Sequence, residues 1–140
     1  MIELKQHIQI GTRNKLLFTS YNVKDLIFID LSTEMSHAIE SSLTDKNLPF
    51  LAEEELEKII NKNVCHSSEI GNYIAIRNIG ILFEPTLKID IQAKFSAWSR
   101  SYTLIVDIAE GTIQNDIFYL AGDTESAYKI NLSDIPYQIH

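Results

Sequence analysis

Two aspartates stand at the ends of apolar runs, Asp30 after LIFI at 26–29 and Asp107 after YTLIV at 102–106. Carboxylates in such places can converge at one edge of a sheet and hold Mg2+, a hard cation that is bound through one or two carboxylates plus water and phosphate oxygens. With Glu34 and Glu110 close by, the chemistry would be metal-assisted cleavage of a phosphoester. The plainer reading makes Asp30 a helix cap and lets Asp107 close a strand into solvent. A metal nuclease would also bring a Lys or His close to the acids, and no such spacing stands out.

The other reactive side chains are isolated. Cys65 and His66 are adjacent, but a zinc site needs three or four ligands and the chain has 1 cysteine. As a nucleophile Cys65 would need a base from a distant, unmarked position. His7, His37, His66 and His140 share no paired spacing such as HExxH, and His37 pairs at most with Glu34 along a helix. Neither GxxxxGK[ST] nor GxGxxG occurs, so no glycine-rich loop offers its N–H groups to phosphates. Gly80, alone between Ile79 and Ile81, marks a bend or a close backbone approach. Arg100, beside Ser99 at a helix end, is the best candidate for an anion contact; pairing with a carboxylate or capping carbonyls is the bland equivalent.

Behind these residues lies a sequence of alternating elements. Residues 1–10 carry Ile2, Leu4, Ile8 and Ile10 with strand-like period two. The dense runs at 15–20 and 26–31 read as buried strands, and the five residues between them are too few for a parallel crossover, so neighbours would be antiparallel. A helix is expected from about Thr33 to Leu43, capped by Ser32 or Thr33, and a second over 52–62, with Pro49 near its start and an acidic outer face. Residues 63–72 read as a loop. The longest self-consistent piece, 72–107, is strand, turn, helix, strand: Tyr73 to Ile76, then Pro85 opening a helix with Leu87, Ile91, Phe95 and Trp98 on one face, then a strand from Tyr102 to Ile108. A hairpin follows, around Ile113 and 116–121, then a strand alternating Tyr128, Ile130 and Leu132, then a tail.

The 140 residues fit one domain, and 45% hydrophobic against 22% charged residues describe a packed globular chain. Strands and helices alternate without a linker or repeat. The fold class is α/β, a small mixed sheet with about three helices in one domain over 1–140. Lack of a disulfide partner for Cys65, and charge where a leader would be apolar, lead us to expect a cytoplasmic protein with no membrane span. A net charge of -7 opposes direct nucleic-acid binding, which depends on Lys and Arg neutralising phosphates.

NIGILFEPTLKIDIQAKFSAWSRSYTLIV, residues 78–106, resembles the second half of the small P-loop proteins of type 3 BREX phage-resistance systems. Their pattern runs I-E-x-L-F-x-P-x-L-x-x-D, then a helix ending in S-R before an apolar strand; Ile79, Leu82, Phe83, Pro85, Leu87, Asp90, Ser99 and Arg100 follow it in order. Tyr119, Ala121 and Tyr128 resemble the family's closing strand and loop. The likeness covers 73–132 and extends to 26–43. It implies a truncated P-loop NTPase-like domain, and the departures imply what that domain has lost. Arg77 stands where the family's first Mg2+-supporting acid falls and Gly80 where its second does, while the phosphate loop and its helix have no counterpart between 15 and 31. The resemblance therefore implies a pseudo-ATPase without a nucleotide or other cofactor. It would act as a non-catalytic subunit or adaptor, contacting larger protein subunits of the same phage-defence or DNA-modification system.

Overall fold

The structure, a computed structural model, describes residues 14–20, 25–108, 111–120 and 128–139. The strand expected over 1–10 lies outside them. Five strands form a parallel sheet in the order β2-β4-β5-β1-β9: β1 (Lys15–Thr19), β2 (Phe28–Asp30), β4 (Gly71–Arg77), β5 (Thr103–Asp107) and β9 (Gln138–Ile139). A short β3 (Cys65–Ser67) pairs antiparallel with the first half of β4. Three helices, α1 (Leu31–Ile39), α2 (Leu48–Lys62) and α3 (Ile91–Ser101), join the parallel strands. A separate antiparallel sheet holds β6 (Thr112–Gln114), β7 (Ile117–Tyr119) and β8 (Lys129–Asn131). The fold is thus α/β, a five-stranded parallel sheet with three helices and a small second sheet.

Side-chain alternation divides the sheet into two faces. Leu16, Phe18, Ile74, Ile76, Leu104 and Val106 join the main core with Met35, Leu56, Phe95 and Trp98 of the helices. Leu17, Tyr73, Ala75 and Ile105 lie on the other face, against Leu26, Phe28, Cys65 and Ile70. Both faces of the central strands are buried, which is why β1 and β5 read as continuous apolar runs rather than alternating ones.

Several expectations change in contact with this architecture. The runs containing β1 and β2 are parallel members of one sheet with β4 and β5 between them, so the antiparallel condition for neighbours does not arise. The link at 20–27 suffices because Phe28 enters level with Ala75, partway along β4. Eight residues reach about 26 Å, and three strand spacings are about 14 Å. The loop expected over 63–72 contains a hairpin, with Cys65 opposite Tyr73 and a turn closing at Gly71, whose φ of 76° favours glycine. Pro85 opens only a single 3-10 turn, Pro85–Leu87, ended by Lys88 in the left-handed region. The helix starts afresh at Ile91, where the Asp90 carboxylate accepts the Ala93 N–H at 3.0 Å.

What looked like a tail is structural. Its last strand, β9, extends the sheet beside β1, pairing Gln138 with Leu17 and Ile139 with Phe18. The Tyr137 ring meets Phe18 edge-on at 5.8 Å, and its hydroxyl donates to Asp116 at 2.7 Å. Asp116 and Asn115 form the β6-β7 turn with positive φ, the geometry of a tight hairpin. Phe118 of β7 stacks on the Phe18 ring at 5.9 Å, fastening the small sheet to the large one. No helix among the described residues is long and apolar enough to cross a membrane.

Burial, reinforced by the Asp116 hydrogen bond and charge, pushes the Tyr137 hydroxyl up to about 12. A phenol held neutral by the fold stabilises it below the unfolded value near 10, and that contribution is lost as pH rises through the folded value. Tyr137→Phe should lower stability by about 1 to 2 kcal/mol at pH 7. Urea unfolding should also find the mutant losing less stability than wild type between pH 10 and about 12.

Candidate functional site

In parallel α/β sheets ligands bind beyond the carboxyl ends of the strands. Here that edge is made by Asp30 of β2, Arg77 of β4, Asp107 of β5 and Thr19 of β1. Asp30 is in register with Arg77 and Thr19 with Asp107, and the pairing of Ile76 with Val106 brings Arg77 level with Asp107. The four form one row and project to one face of the sheet. Adjacent strands lie about 4.8 Å apart, so the backbones of Asp30 and Asp107 are separated by about 10 Å, with Arg77 between them.

Asp30 caps α1, as the plainer reading held. Its carboxylate accepts the Thr33 N–H at 3.0 Å and the Asn78 side-chain amide at 2.9 Å. The Thr33 N–H bond outweighs the opposing effect of burial and, with the Asn78 amide, the Thr33 side chain and the Arg77 charge adding to it, holds this carboxyl below the ordinary aspartate range. The helix therefore begins at Leu31, two residues before the expected start, because an aspartate one step earlier captures the free Thr33 N–H of its first turn.

Asn78 organises the corner opposite. It sits in the left-handed region, φ 52° and ψ 59°, where asparagine is several-fold enriched. Its carbonyl accepts both the Ser32 N–H, at 3.0 Å, and the Ser32 hydroxyl, and the Ser32 hydroxyl oxygen in turn accepts the Ile81 N–H at 3.1 Å. Asp30, Ser32 and Asn78 thus bind the end of β2 to the end of β4. Neither Ser32 nor Asn78 was a site residue on sequence grounds. The available signal was an asparagine directly after a strand and before an apolar turn, a frequent left-handed position.

The remaining candidates lie elsewhere. Gly80 falls in a 3-10 turn, Ile79–Phe83, and a side chain there would meet Leu120 at 4.0 Å, on the small sheet. Ser99 is 1% exposed; its hydroxyl donates to the Phe95 carbonyl at 2.6 Å and accepts from the Asn14 amide at 2.9 Å. It ties the entry of β1 to α3 and presents nothing to a ligand. Arg100 is exposed, donates to Ser96 Oγ at 2.9 Å and stands at the opposite, N-terminal edge of the sheet, where α3 leads into β5. Cys65 Sγ contacts the Asn63 carbonyl, His66 Nδ1 lies 3.1 Å from Asn72 Oδ1, and His37 approaches Glu40 at 3.9 Å rather than Glu34. Among the described residues no three His, Cys, Asp or Glu side chains come together as a metal cluster.

Chemically, the carboxyl-end row is a guanidinium flanked by two acids. Among the described residues Arg77 makes no ion pair, and it is exposed at the strand ends. Compared with known proteins, the chain matches no family model, no curated protein and no solved structure.

Removing the cap tests this corner. Asp30→Ala should cost about 1 to 2 kcal/mol at pH 7, while Asp30→Asn, an equally good cap that still offers Asn78 an acceptor, should cost only a few tenths. Because the Asp30 carboxyl is depressed by folding, the stabilisation specific to its charge is complete above the unfolded value of about 3.9 and is lost as pH falls through the folded one. Urea melts at decreasing pH should therefore find wild type and Asp30→Asn converging in acid.

Proposed function

We propose that the chain is a non-catalytic adaptor in a prokaryotic phage-defence or related DNA-modification system, a degenerate relative of the small P-loop proteins of type 3 BREX systems. The observation that carries this reading is the row Asp30, Arg77, Asp107 at the carboxyl ends of the sheet. A P-loop ATPase needs an acid at the end of the strand corresponding to β4 to support Mg2+, and β4 ends in a cation. A guanidinium between the two remaining carboxylates repels a divalent metal from the middle of the edge where it would have to sit.

Topology gives further support. The sheet is parallel, β1 lies inside it, and β5 is interposed between β1 and β4, an order compatible with P-loop ATPases that have an added strand between the phosphate-loop strand and the acid-bearing one. Only residues 20–27 connect β1 to β2, where such an ATPase carries its phosphate loop and a long helix, whose N–H groups and dipole hold the phosphates. A chain that keeps the sheet without this cradle retains its surfaces, and the partners we infer are the larger protein subunits of the same system.

A phosphoester-cleaving enzyme using Mg2+ on Asp30 and Asp107 is the alternative. It has in its favour that both acids reach the same edge. Against it, Arg77 lies between them and one Asp30 oxygen is already committed to Thr33 and Asn78.

Isothermal titration calorimetry with ATP and Mg2+ tests the adaptor reading. No binding at the carboxyl edge is the expected result; a micromolar Kd that disappears on Asp107→Ala would overturn it in favour of a metal-dependent site.

A further inference from the structure

The protein is acidic, with 19 Asp and Glu against 12 Lys and Arg, yet one of its hollows contains no acid. A recess of about 220 Å³ lies at the N-terminal edge of the sheet, lined by Lys15 at the start of β1, Gly71 and Asn72 at the start of β4, and Arg100, Ser101 and Tyr102 where α3 passes into β5. The three other hollows described each carry carboxylates: Asp116 and Asp134 in one, Glu53, Glu57 and Asp90 in the next, Asp90 and Asp134 in the third. Arg100 also borders the third, but pairs with neither acid and donates instead to Ser96 Oγ. Lys15 likewise makes no ion pair among the described residues.

We propose that this recess binds a phosphate group, free or as a monoester. Two cations converge on one concave site, and a phosphate monoester carries roughly -1.5 to -2 charges at neutral pH, which they match. A guanidinium suits two phosphate oxygens at once, and the lysine adds a point charge. Asn72 and Ser101 line the same space, and their side chains carry neutral donors. The lining is open at Gly71, where nothing lies within 4 Å of an added Cβ and the φ of 76° favours glycine. The opposing field is the C-terminus of α3, worth roughly half a negative charge, and two full cations outweigh it.

The site is distinct from the row at the carboxyl ends, so its test can be separated from that of the adaptor reading. The probes are sodium phosphate and phenyl phosphate, titrated into isotopically labelled full chain and followed by amide and arginine side-chain NMR, with sodium chloride at matched ionic strength as reference. Saturable shifts at Gly71, Asn72, Ser101 and the Arg100 side chain are expected. Lys15→Gln and Arg100→Gln should each weaken binding by about tenfold or more, with their spectra otherwise unchanged, while Arg77→Gln should bind as wild type does. Stronger binding of phenyl phosphate identifies a monoester site and stronger binding of the inorganic ion a free-phosphate site; either supports the proposal. Shifts that chloride reproduces, or that survive both Lys15→Gln and Arg100→Gln, overturn it. ATP binding that persists in Arg100→Gln would instead count against the adaptor reading and leave this recess standing.

Discussion

Phe18 is the ring on which three parts of the molecule meet. Fully buried, it touches Phe95 of α3, stacks on Phe118 of the small sheet and receives the edge of Tyr137 from the C-terminal segment. Each contact joins an element that could not be fixed by neighbouring sequence alone. The helical layer, the second sheet and the segment leading into the last strand all close against one side chain near the end of β1. Aromatic pairs of this kind add about 0.5 to 1.5 kcal/mol each beyond the area they bury, so the cluster concentrates cohesion on one buried side chain.

The two edges are then free to differ. At the carboxyl ends, Asp30, Ser32 and Asn78 are spent on one another, fixing two strand-to-helix corners by side-chain and backbone hydrogen bonds. That commitment leaves Arg77 as an exposed charge at the edge. At the amino ends, Asn14 and Ser99 perform the comparable fastening in the interior, where both are buried and bonded. The charged groups beside them, Lys15 and Arg100, are left on the surface without acidic partners among the described residues. A corner held by neutral buried groups does not consume its cations; a corner held by a carboxylate cap does consume its acid.

How far the sequence could be read follows from where the deciding interactions lie. The second helix, the helix ending at Ser101 and β5 were legible because apolar spacing and polar breaks are local signals. The hairpin of the small sheet was legible from Ile113 and the apolar run at 116–121, although its turn takes Asp116, which was expected in the strand. Sheet order was not, since the run at 15–20 has the same composition whether its neighbour is β2 or β5, and only long-range packing chooses. β9 escaped notice because two residues, Gln138 and Ile139, carry no periodicity. At the carboxyl edge the two aspartates and Arg77 were visible as types, and their common level was not, because register is a property of paired strands. Ser99 groups with Arg100 on sequence grounds as a candidate anion contact; it is buried, and its hydroxyl is taken up by Asn14, 85 residues away in sequence.

The position of β1 also bears on how the chain is made. It is the first described strand to leave the ribosome, and its two neighbours in the sheet, β5 and β9, lie far downstream. Until β5 has been synthesised, Leu16, Leu17 and Phe18 have no strand to pair with, and one flank stays open until β9 emerges. Such non-local pairing slows folding and leaves apolar surface uncovered in the interval. Completion of this sheet therefore waits on β9, and a nascent chain stalled before β9 would expose the backbone along one flank of β1.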